Sequence, residues 1–342
     1  MSDVAQPIEV RRARPSWRFA SDRAAAFGAF ALGIVFVLCL ATLPWTMARI
    51  EPHGGGVAQR RFEAADLSAS LLPPRWWPAG ERDRTRLDQL RAEGHPLPAR
   101  WLGTDRLGRD VLARCLVGGA ISILIGLSAA ALTVFIGTAW GMVAGAAGGR
   151  IDATMMRIVD VLFGLPSILL VVLLAVAAEG IVERLGADPP PTLRQAINIV
   201  TLLVAIGGVS WLTMARVIRG QTLSLRARPF MEACRAIGVP RRRQLLRHLL
   251  PNLVGPITVY ATLAVPAAIL SESFLSFLGI GIREPLPSWG NLAASGLSEL
   301  NPVASRWWLL LWPCLLIAIT LLSLNFVGER LRERLDPRET RR

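Results

Sequence analysis

The sequence of 342 residues contains no lysine, and all of its 38 Lys-or-Arg positions are arginine. The P-loop of common ATPases needs a lysine to reach the nucleotide phosphates, so this chain is not an ATPase of that kind. The four cysteines form no Cys-x-x-Cys pair, and the three histidines lie far apart in the sequence. These spacings favour neither a disulfide framework nor a metal site, and no cofactor is expected.

Charge is also scarce. Only 18% of the residues are charged, whereas a soluble domain carries about a quarter. A bilayer core of about 30 Å requires about 20 apolar residues in a helix. Six uncharged stretches reach or approach that length and predict an all-α membrane protein with six transmembrane helices: Ala24–Met47, Cys115–Gly149, Val161–Ala178, Gln195–Ala215, Leu249–Ser271 and Trp307–Gly328.

The first stretch is longer than the apolar region of a signal peptide and lacks a small-residue cleavage site, which predicts an uncleaved first helix over residues 24–47. The arginines then orient the bundle, because short loops rich in arginine stay on the cytoplasmic side. They cluster in Met1–Arg23, Arg150–Arg157, Arg216–Arg247 and Arg330–Arg342, whereas each short loop on the opposite side has two.

This distribution predicts cytoplasmic N- and C-termini, with tails at residues 1–23 and 329–342 and a five-helix core over residues 115–328. Residues 48–114 form an external insertion, and the charges of so long a loop do not determine the orientation of the bundle. The adjacent Trp76 and Trp77 in this insertion are predicted at the membrane interface, where amphipathic rings are favoured.

The segment MEACRAIGVPRRRQLLRHLLPN, which runs from Met231 to Asn252, places a basic unit between two apolar stretches. Pro229 suits a first helical turn, Glu232 and Arg235 match the two ends of the helix dipole, and Gly238 suits a left-handed C′ position. This pattern predicts a short helix over Pro229–Ile237, and a second helix after it that ends in a turn at Pro251-Asn252. Its apolar face would contain Leu245, Leu246, Leu249 and Leu250.

Helices this short are marginal in water, and this unit therefore needs a partner surface such as a groove on another protein. Two alternatives are a solvated basic loop and a patch for nucleic acid or anionic lipid. The near absence of aromatic residues in the segment argues against nucleic acid as a partner.

The order Glu232-Ala233-Cys234, three residues, Gly238, nine residues and His248-Leu249-Leu250-Pro251 resembles the EAA loop of ABC importer permeases. Cys234 departs from the second alanine of that loop, and His248 departs from an apolar position. Three more segments resemble the oligopeptide and dipeptide branch, closest to its C-type permease subunit. These segments are Trp101–Arg114, Ser210–Leu225 and Ser273–Gly290.

The resemblance implies a type I ABC importer permease fold and a non-catalytic subunit in the bacterial cytoplasmic (inner) membrane that imports oligopeptides or dipeptides. The implied partners are a second permease subunit in a heterodimer, two cytoplasmic ATP-binding subunits and an external substrate-binding protein. A nickel chelate, an opine or a peptide antibiotic are alternative substrates for the same architecture.

The resemblance also assigns residues 226–251 to ATPase coupling. Glu232 would supply a polar contact with Ala233 beside it, and Gly238 would supply the sharp turn. Charge complementarity would come from Arg235, Arg241, Arg242 and Arg243.

Acidic residues at the ends of apolar stretches are candidates for a translocation pathway or gate, because such charges usually face an interior or an aqueous cavity. Asp160 has Arg157 one turn back as a possible ion-pair partner, whereas Glu272 has no nearby cation in sequence. Trp289 is a third candidate, in the predicted external loop. For Asp160 and Glu272, a solvated interface position is the alternative, and for the Trp289 segment a plain tight loop.

Two other classes of function compete with a permease subunit. A membrane enzyme needs a convergent His/Asp/Glu or Ser/His set, and the sequence offers none. A stand-alone secondary transporter more often has repeated halves with broken helices, and no repeat is detectable.

Overall fold

A computed structural model describes residues 17–51, 58–94, 99–184, 190–301 and 305–335. These residues are helical apart from loops and one short antiparallel ribbon, β1 (Arg49–Ile50) with β2 (Gln59–Arg60). The helices are α1 (Trp17–Ala41), α2 (Leu43–Thr46), α3 (Glu81–Ala92), α4 (Val111–Ala147), α5 (Gly149–Phe163), α6 (Ser167–Arg184), α7 (Pro191–Arg226), α8 (Pro229–Ala236), α9 (Arg241–Arg243), α10 (Leu250–Phe277), α11 (Trp289–Ser298) and α12 (Trp308–Leu335), with a 3-10 turn at Leu67–Ala69 and a π-helical turn at Gln244–Leu249.

The predicted helical class is confirmed for the described residues, and the outer parts of the predicted tails, residues 1–16 and 336–342, lie outside them. Within the described ranges, five segments are long and apolar enough to cross a membrane. They are Arg23–Ala41, Val111–Ala147, Leu193–Arg226, Arg241–Phe277 and Trp308–Glu333. A sixth span requires α5 and α6 to be counted together.

The third predicted stretch, Val161–Ala178, is not one straight helix. It begins inside α5 and continues in α6, and these two helices are bent by 88° at the break between them. Pro166 occupies this break, and the residue before a proline is disfavoured in the helical conformation. The length of the apolar stretch predicted a span here, and the structure shows that this span is broken at Pro166.

Close packing between α4 and α7 builds the centre of the bundle. Gly137, Gly141 and Gly145 lie one turn apart on α4. A Cβ on Gly141 would stand 2.3 Å from the carbonyl oxygen of Ala215 on α7. Small residues at this spacing let helix backbones approach closely in membranes. Helix α4 also packs along α10, and α12 packs along α10 and α1.

The insertion before α4 is tied to the loop after α10 by four charged residues. Arg109 contacts Asp105 at 2.7 Å and Glu284 at 2.8 Å. Arg114 contacts the same two carboxylates at 3.2 and 3.1 Å. Both arginines are nearly buried, so their charges depend on these partners. This charged cluster fixes the base of the insertion to the membrane helices.

Candidate coupling surface

Helix α8 has one face fixed to the bundle. Met231 and Cys234 are buried. Met231 belongs to an apolar cluster that joins four helical segments, with Met142 on α4, Ile218 on α7 and Leu253 on α10. An eight-residue helix is unstable alone, and this packing holds it against the ends of the long helices.

The opposite face of α8 is exposed and contains predicted coupling residues. Glu232, Ala233 and Arg235 are exposed, and Ile237, the residue that caps the helix, is 78% exposed. Within the described part of the chain, no ion-pair partner is found for Glu232. This face therefore presents one carboxylate beside one large apolar side chain.

The turn after α8 is a Schellman motif. Gly238 has φ +74°, which confirms its predicted left-handed conformation. The N–H of Gly238 donates to the carbonyl of Arg235 at 3.1 Å, and the N–H of Val239 donates to that of Cys234 at 3.0 Å. This pair of hydrogen bonds defines the motif. A Cβ at Gly238 would meet nothing within 4 Å, so glycine is required by the backbone and not by crowding.

Arg235 links α8 to α7. Its guanidinium donates to the carbonyl oxygen of Arg226, the last residue of α7, at 2.7 Å, and to the carbonyl oxygen of Met231 at 3.2 Å. Arg226 in turn donates to the carbonyl oxygen of Gly145 near the end of α4 at 2.7 Å. Cations are favourable at helix C-termini. Two arginines thus connect the ends of α4, α7 and α8.

The second part of the unit differs from the prediction. The sequence predicted a turn at Pro251-Asn252, but α9, the π-helical turn and α10 run on without a break. The wider π-helical turn precedes Pro251, with the N–H of Leu250 bonded to the carbonyl of Leu245. The Asn252 amide donates to the carbonyl oxygen of His248 at 2.7 Å. Pro251 is accommodated because prolines are tolerated in a helix where nearby adjustments restore the lost backbone pairing.

The arginine triplet lies at the exposed start of this continuous helix. Arg241, Arg242 and Arg243 are all exposed and follow Pro240, the N-cap of α9. Of the leucines predicted on one apolar face, three pack inward, whereas Leu246 is 51% exposed. The widened turn accounts for this difference, because it shifts the helical register by one residue.

Asp160 is exposed and pairs with Arg216 on α7 at 2.8 Å, rather than with Arg157, the arginine that is nearest to it in the sequence. The guanidinium of Arg216 also lies 3.9 Å from the ring centroid of Phe163. One turn further along α7, Arg219 forms a bidentate ion pair with Asp152 on α5. Two ion pairs therefore hold α5 along α7.

Glu272 and Trp289 both lie in the protein interior, each with no exposed surface. The Glu272 carboxylate accepts a hydrogen bond from the Ser276 hydroxyl at 2.8 Å and one from Ser273 at 3.3 Å. The hydroxyls of Ser122 on α4 and Ser288 at the start of α11 are further partners. Hydroxyl groups thus satisfy this buried carboxylate in place of a cation.

The Trp289 indole completes the same connection. Its ring nitrogen donates to the Cys115 carbonyl oxygen on α4 at 3.0 Å. Ser288 and Asn291 form a reciprocal capping box at the start of α11. These contacts fix the loop between α10 and α11 to the beginning of α4.

A groove at the bend between α5 and α6 was not identified from the sequence. It contains a cavity of about 500 Å³ between α4, α5, α6, α7 and α10, next to a second cavity of about 350 Å³ with shared lining residues. The lining is apolar with scattered hydroxyls, contributed by Thr133, Ser167, Ser210, Thr213, Tyr260 and Ser271. Only the tertiary arrangement brings these dispersed residues together.

Among the described residues, no group of three or more His, Cys, Asp or Glu side chains could hold a metal ion. His53 and His95 lie outside those residues.

The long apolar helices and the exposed short-helix unit agree with the fold class predicted from the sequence, and one family model matches the chain. The chain belongs to the family of binding-protein-dependent transport system inner membrane components, whose model matches residues 137–341. The protein is thus an inner-membrane component.

Several relatives extend the similarity. The oligopeptide transport system permease protein OppC of Escherichia coli (strain K12) is 44% identical over 241 residues, covering 70% of this chain and 72% of that protein. The dipeptide permease protein DppC of Bacillus subtilis is 41% identical over 243 residues, 71% of this chain and 70% of that protein. OppC of Mycobacterium bovis is 33% identical over 320 residues, 94% and 92% of the two chains.

One solved structure, of the MetNI methionine ABC transporter in inward-facing conformations, has a TM-score of 0.48 and 18% identity. The matched region covers 64% of this chain and 94% of the chain in that structure.

Proposed function

We propose that the chain is a permease subunit of an ATP-driven importer of oligopeptides or dipeptides. Family membership and relatives named for peptide transport support the proposal. A second permease subunit would complete a heterodimer, two cytoplasmic ATP-binding subunits would hydrolyse ATP, and an external binding protein would deliver the peptide. The chain itself would be non-catalytic.

The observation that carries the proposal is the two-faced unit of α8 and α9. Its inner face is packed on three long helices, and its outer face presents Glu232, Ile237 and the arginine triplet. An exposed apolar side chain with charged side chains beside it suits binding in a groove on a partner protein. A solvated loop would need neither the apolar Ile237 nor the rigid attachment behind it.

In the proposed mechanism, closure of the ATPase pair pulls on the exposed face of α8. The displacement passes through Met231 into the apolar cluster, and through Arg235 and Arg226 into the ends of α7 and α4. A shift of equilibrium requires different contacts in the two states. Glu232 and the arginine triplet are the groups whose contacts would differ.

We propose a topology of six spans, with the bent α5–α6 pair counted as one, a type I importer fold and both termini cytoplasmic. The groove at the bend would form part of the translocation pathway. Asp160 lies beside it, because its partner Arg216 stacks on Phe163, a residue that lines the groove. Opening this ion pair is the proposed gating event.

For Glu272 and Trp289 we propose an indirect role in the gate. Both are buried, so neither would touch a peptide in this conformation. Their hydrogen bonds to α4 would hold the loop after α10 in place while the pathway opens.

Charge reversal at Glu232 tests the coupling assignment. In the assembled importer, Glu232→Lys is expected to reduce both co-purification of the ATP-binding subunits and peptide-stimulated ATP hydrolysis. Glu329→Lys is the matched control, because Glu329 is also exposed but belongs to α12. Normal ATPase association and normal stimulation in Glu232→Lys would show that the coupling surface is elsewhere.

The substrate class needs a separate experiment, because importer selectivity would lie largely on the binding protein. Binding of peptide libraries, a nickel chelate and an opine to the cognate binding protein should be compared. Tight binding of peptides supports the proposal, whereas binding of the chelate or the opine alone would replace peptides as the cargo.

A further inference from the structure

The insertion contains a strongly basic cavity that the proposed transport function does not use. The cavity, of about 440 Å³, lies between α3 and the segments that flank it. Pro73, Pro74 and Leu87 form apolar parts of its wall. The charged and aromatic lining consists of Arg75, Arg84, Arg91, Arg100, Asp88 and Trp77.

Four arginines against one aspartate leave the cavity with an excess of positive charge. Asp88 is itself paired with Arg91 at 3.2 Å, one turn away on the same exposed helix face. Among the described residues, no carboxylate pairs with Arg75, Arg84 or Arg100. The described residues therefore leave the cavity with a net positive charge.

Arg100 is the most informative of these residues because it is 7% exposed and has no side-chain partner among the described residues. Buried charges are normally paired. Burial, followed by the charges of Arg91 and Arg75, lowers the pKa of Arg100 below its usual value. Its backbone also has φ +46°, a conformation rare for a side chain of this size. The fold thus holds the Arg100 side chain at the cavity wall, close to the charges of Arg91 and Arg75.

The cavity lies at the end of a membrane-spanning segment. Asp83 on α3 pairs with Arg306 at 2.7 Å, immediately before α12. The ring of Trp77, which lines the cavity, packs edge to face on Trp307 with centroids 5.0 Å apart. The candidate span begins at Trp308, so the cavity is next to the end of that span, and tryptophan is favoured at the membrane interface.

We propose that this cavity binds a phosphate group, and that the phosphate of a phospholipid headgroup is its source. Arginine forks bind phosphate oxygens with two parallel hydrogen bonds, and several arginines converge here on one cavity. The apolar wall and Trp77 would contact the adjoining glycerol and the first methylenes of the chains. With the proposed topology, the lipid belongs to the external leaflet.

The test uses the whole importer, purified in detergent and depleted of lipid. Its thermal unfolding is followed while dioctanoyl phosphatidylglycerol, dioctanoyl phosphatidylcholine or inorganic phosphate is added at constant ionic strength. The variants are Arg100→Gln and Arg91→Gln, with Arg82→Gln as the matched control, because Arg82 is an exposed α3 residue outside the cavity lining.

In the wild type, a phosphate-bearing probe is expected to raise the unfolding temperature saturably. Loss of one charge-assisted contact should weaken the apparent affinity about tenfold in Arg91→Gln and Arg100→Gln, and not in Arg82→Gln. Without lipid, Arg100→Gln should unfold at the wild-type temperature or higher, because it removes a positive charge that lies close to Arg91 and Arg75. If Arg100→Gln does not fold, the exposed Arg91→Gln carries the test.

Saturable binding of inorganic phosphate with the same arginine dependence would support the phosphate site and exclude lipid as its necessary source. Binding of both lipids but not of inorganic phosphate would support the headgroup. Equal responses of wild type and both cavity variants would overturn the proposal, as would no response to any probe. The proposal would also be overturned if Arg91→Gln lost docking of the binding protein while its lipid binding stayed unchanged.

Discussion

Replacement of Gly238 tests whether the shape of the turn after α8 matters for docking. Gly238 has φ +74°, and an added Cβ would meet no atom within 4 Å. An alanine at this position therefore changes only the backbone energy. An L-residue in the left-handed conformation costs about 1–2 kcal/mol, and asparagine tolerates that conformation better than alanine does.

This cost should appear on docking and not on folding. The turn is exposed, so in the undocked permease an alanine variant can relax to another backbone geometry. Docking in the groove would restore the left-handed conformation, and a penalty of 1–2 kcal/mol weakens binding roughly 5–30-fold. The expected order of affinity for the ATP-binding subunits is glycine, then asparagine, then alanine.

The measurement is titration of the permease pair in nanodiscs with purified ATP-binding subunits, followed by peptide-stimulated ATP hydrolysis. Gly220→Ala is the control, because Gly220 is exposed with open space around it but does not have a positive φ. Equal affinity of Gly238→Ala and wild type, or weaker binding of Gly238→Asn than of Gly238→Ala, would refute the reasoning.

Three further substitutions test the fold, each by the unfolding temperature. Gly141→Leu should destabilise by about 1–3 kcal/mol or more, because its Cβ would stand 2.3 Å from the carbonyl oxygen of Ala215. Glu284→Gln removes a partner of the buried Arg114 and should lower the free energy of unfolding by about 1–2 kcal/mol. This value is below the usual cost of breaking a buried pair because the Glu284 side chain is 55% exposed. Asp110→Asn should unfold at the wild-type temperature or higher at pH 8. Burial raises the pKa of Asp110, so its favourable contribution is present at acidic pH and is lost as the pH rises. The advantage of the asparagine variant should shrink as the pH falls through the usual aspartate range.

Each of these substitutions has a control or a contradicting result. Gly33 on α1 has nothing within 4 Å of an added Cβ, so Gly33→Leu should be neutral. Glu299→Gln should also be neutral, because its partner Arg106 is 81% exposed and 3.9 Å away. An Asp110→Asn variant that is less stable at pH 8, or whose advantage grows on acidification, contradicts the pKa argument, since asparagine caps a helix as well as aspartate does.

Local signals in the sequence identified α8 and its turn correctly. Pro229, Glu232, Arg235 and Gly238 act within one short segment, so their effects do not depend on distant packing. Five of the six long apolar stretches each overlap one long helix, and the third falls on the bent α5–α6 pair. Tertiary context changed the second half of the coupling unit, where a π-helical turn let Pro251 continue a helix that sequence rules would end.

Ion-pair partners and grooves could not be predicted in this way. The sequence suggested Arg157 for Asp160, one turn back, but the partner is Arg216, which is 56 residues away in sequence. The charged cluster of Arg109, Arg114 and Glu284 joins residues separated by up to 175 positions. Such contacts depend on how the helices pack, and a single sequence contains no direct record of that packing.

The continuous helix from Arg241 to Phe277 has a mechanical consequence. Its 37 residues span about 55 Å at 1.5 Å per residue. If this helix tilts as a rigid rod about one end, a rotation of about 10° carries the other end through about 10 Å. Hydrogen bonds hold the Glu272 end and the loop after it, so the moving end is the arginine triplet. A small angular change about the Glu272 end thus corresponds to a displacement as wide as a helix at the triplet, and the π-helical turn lets the rod extend through Pro251.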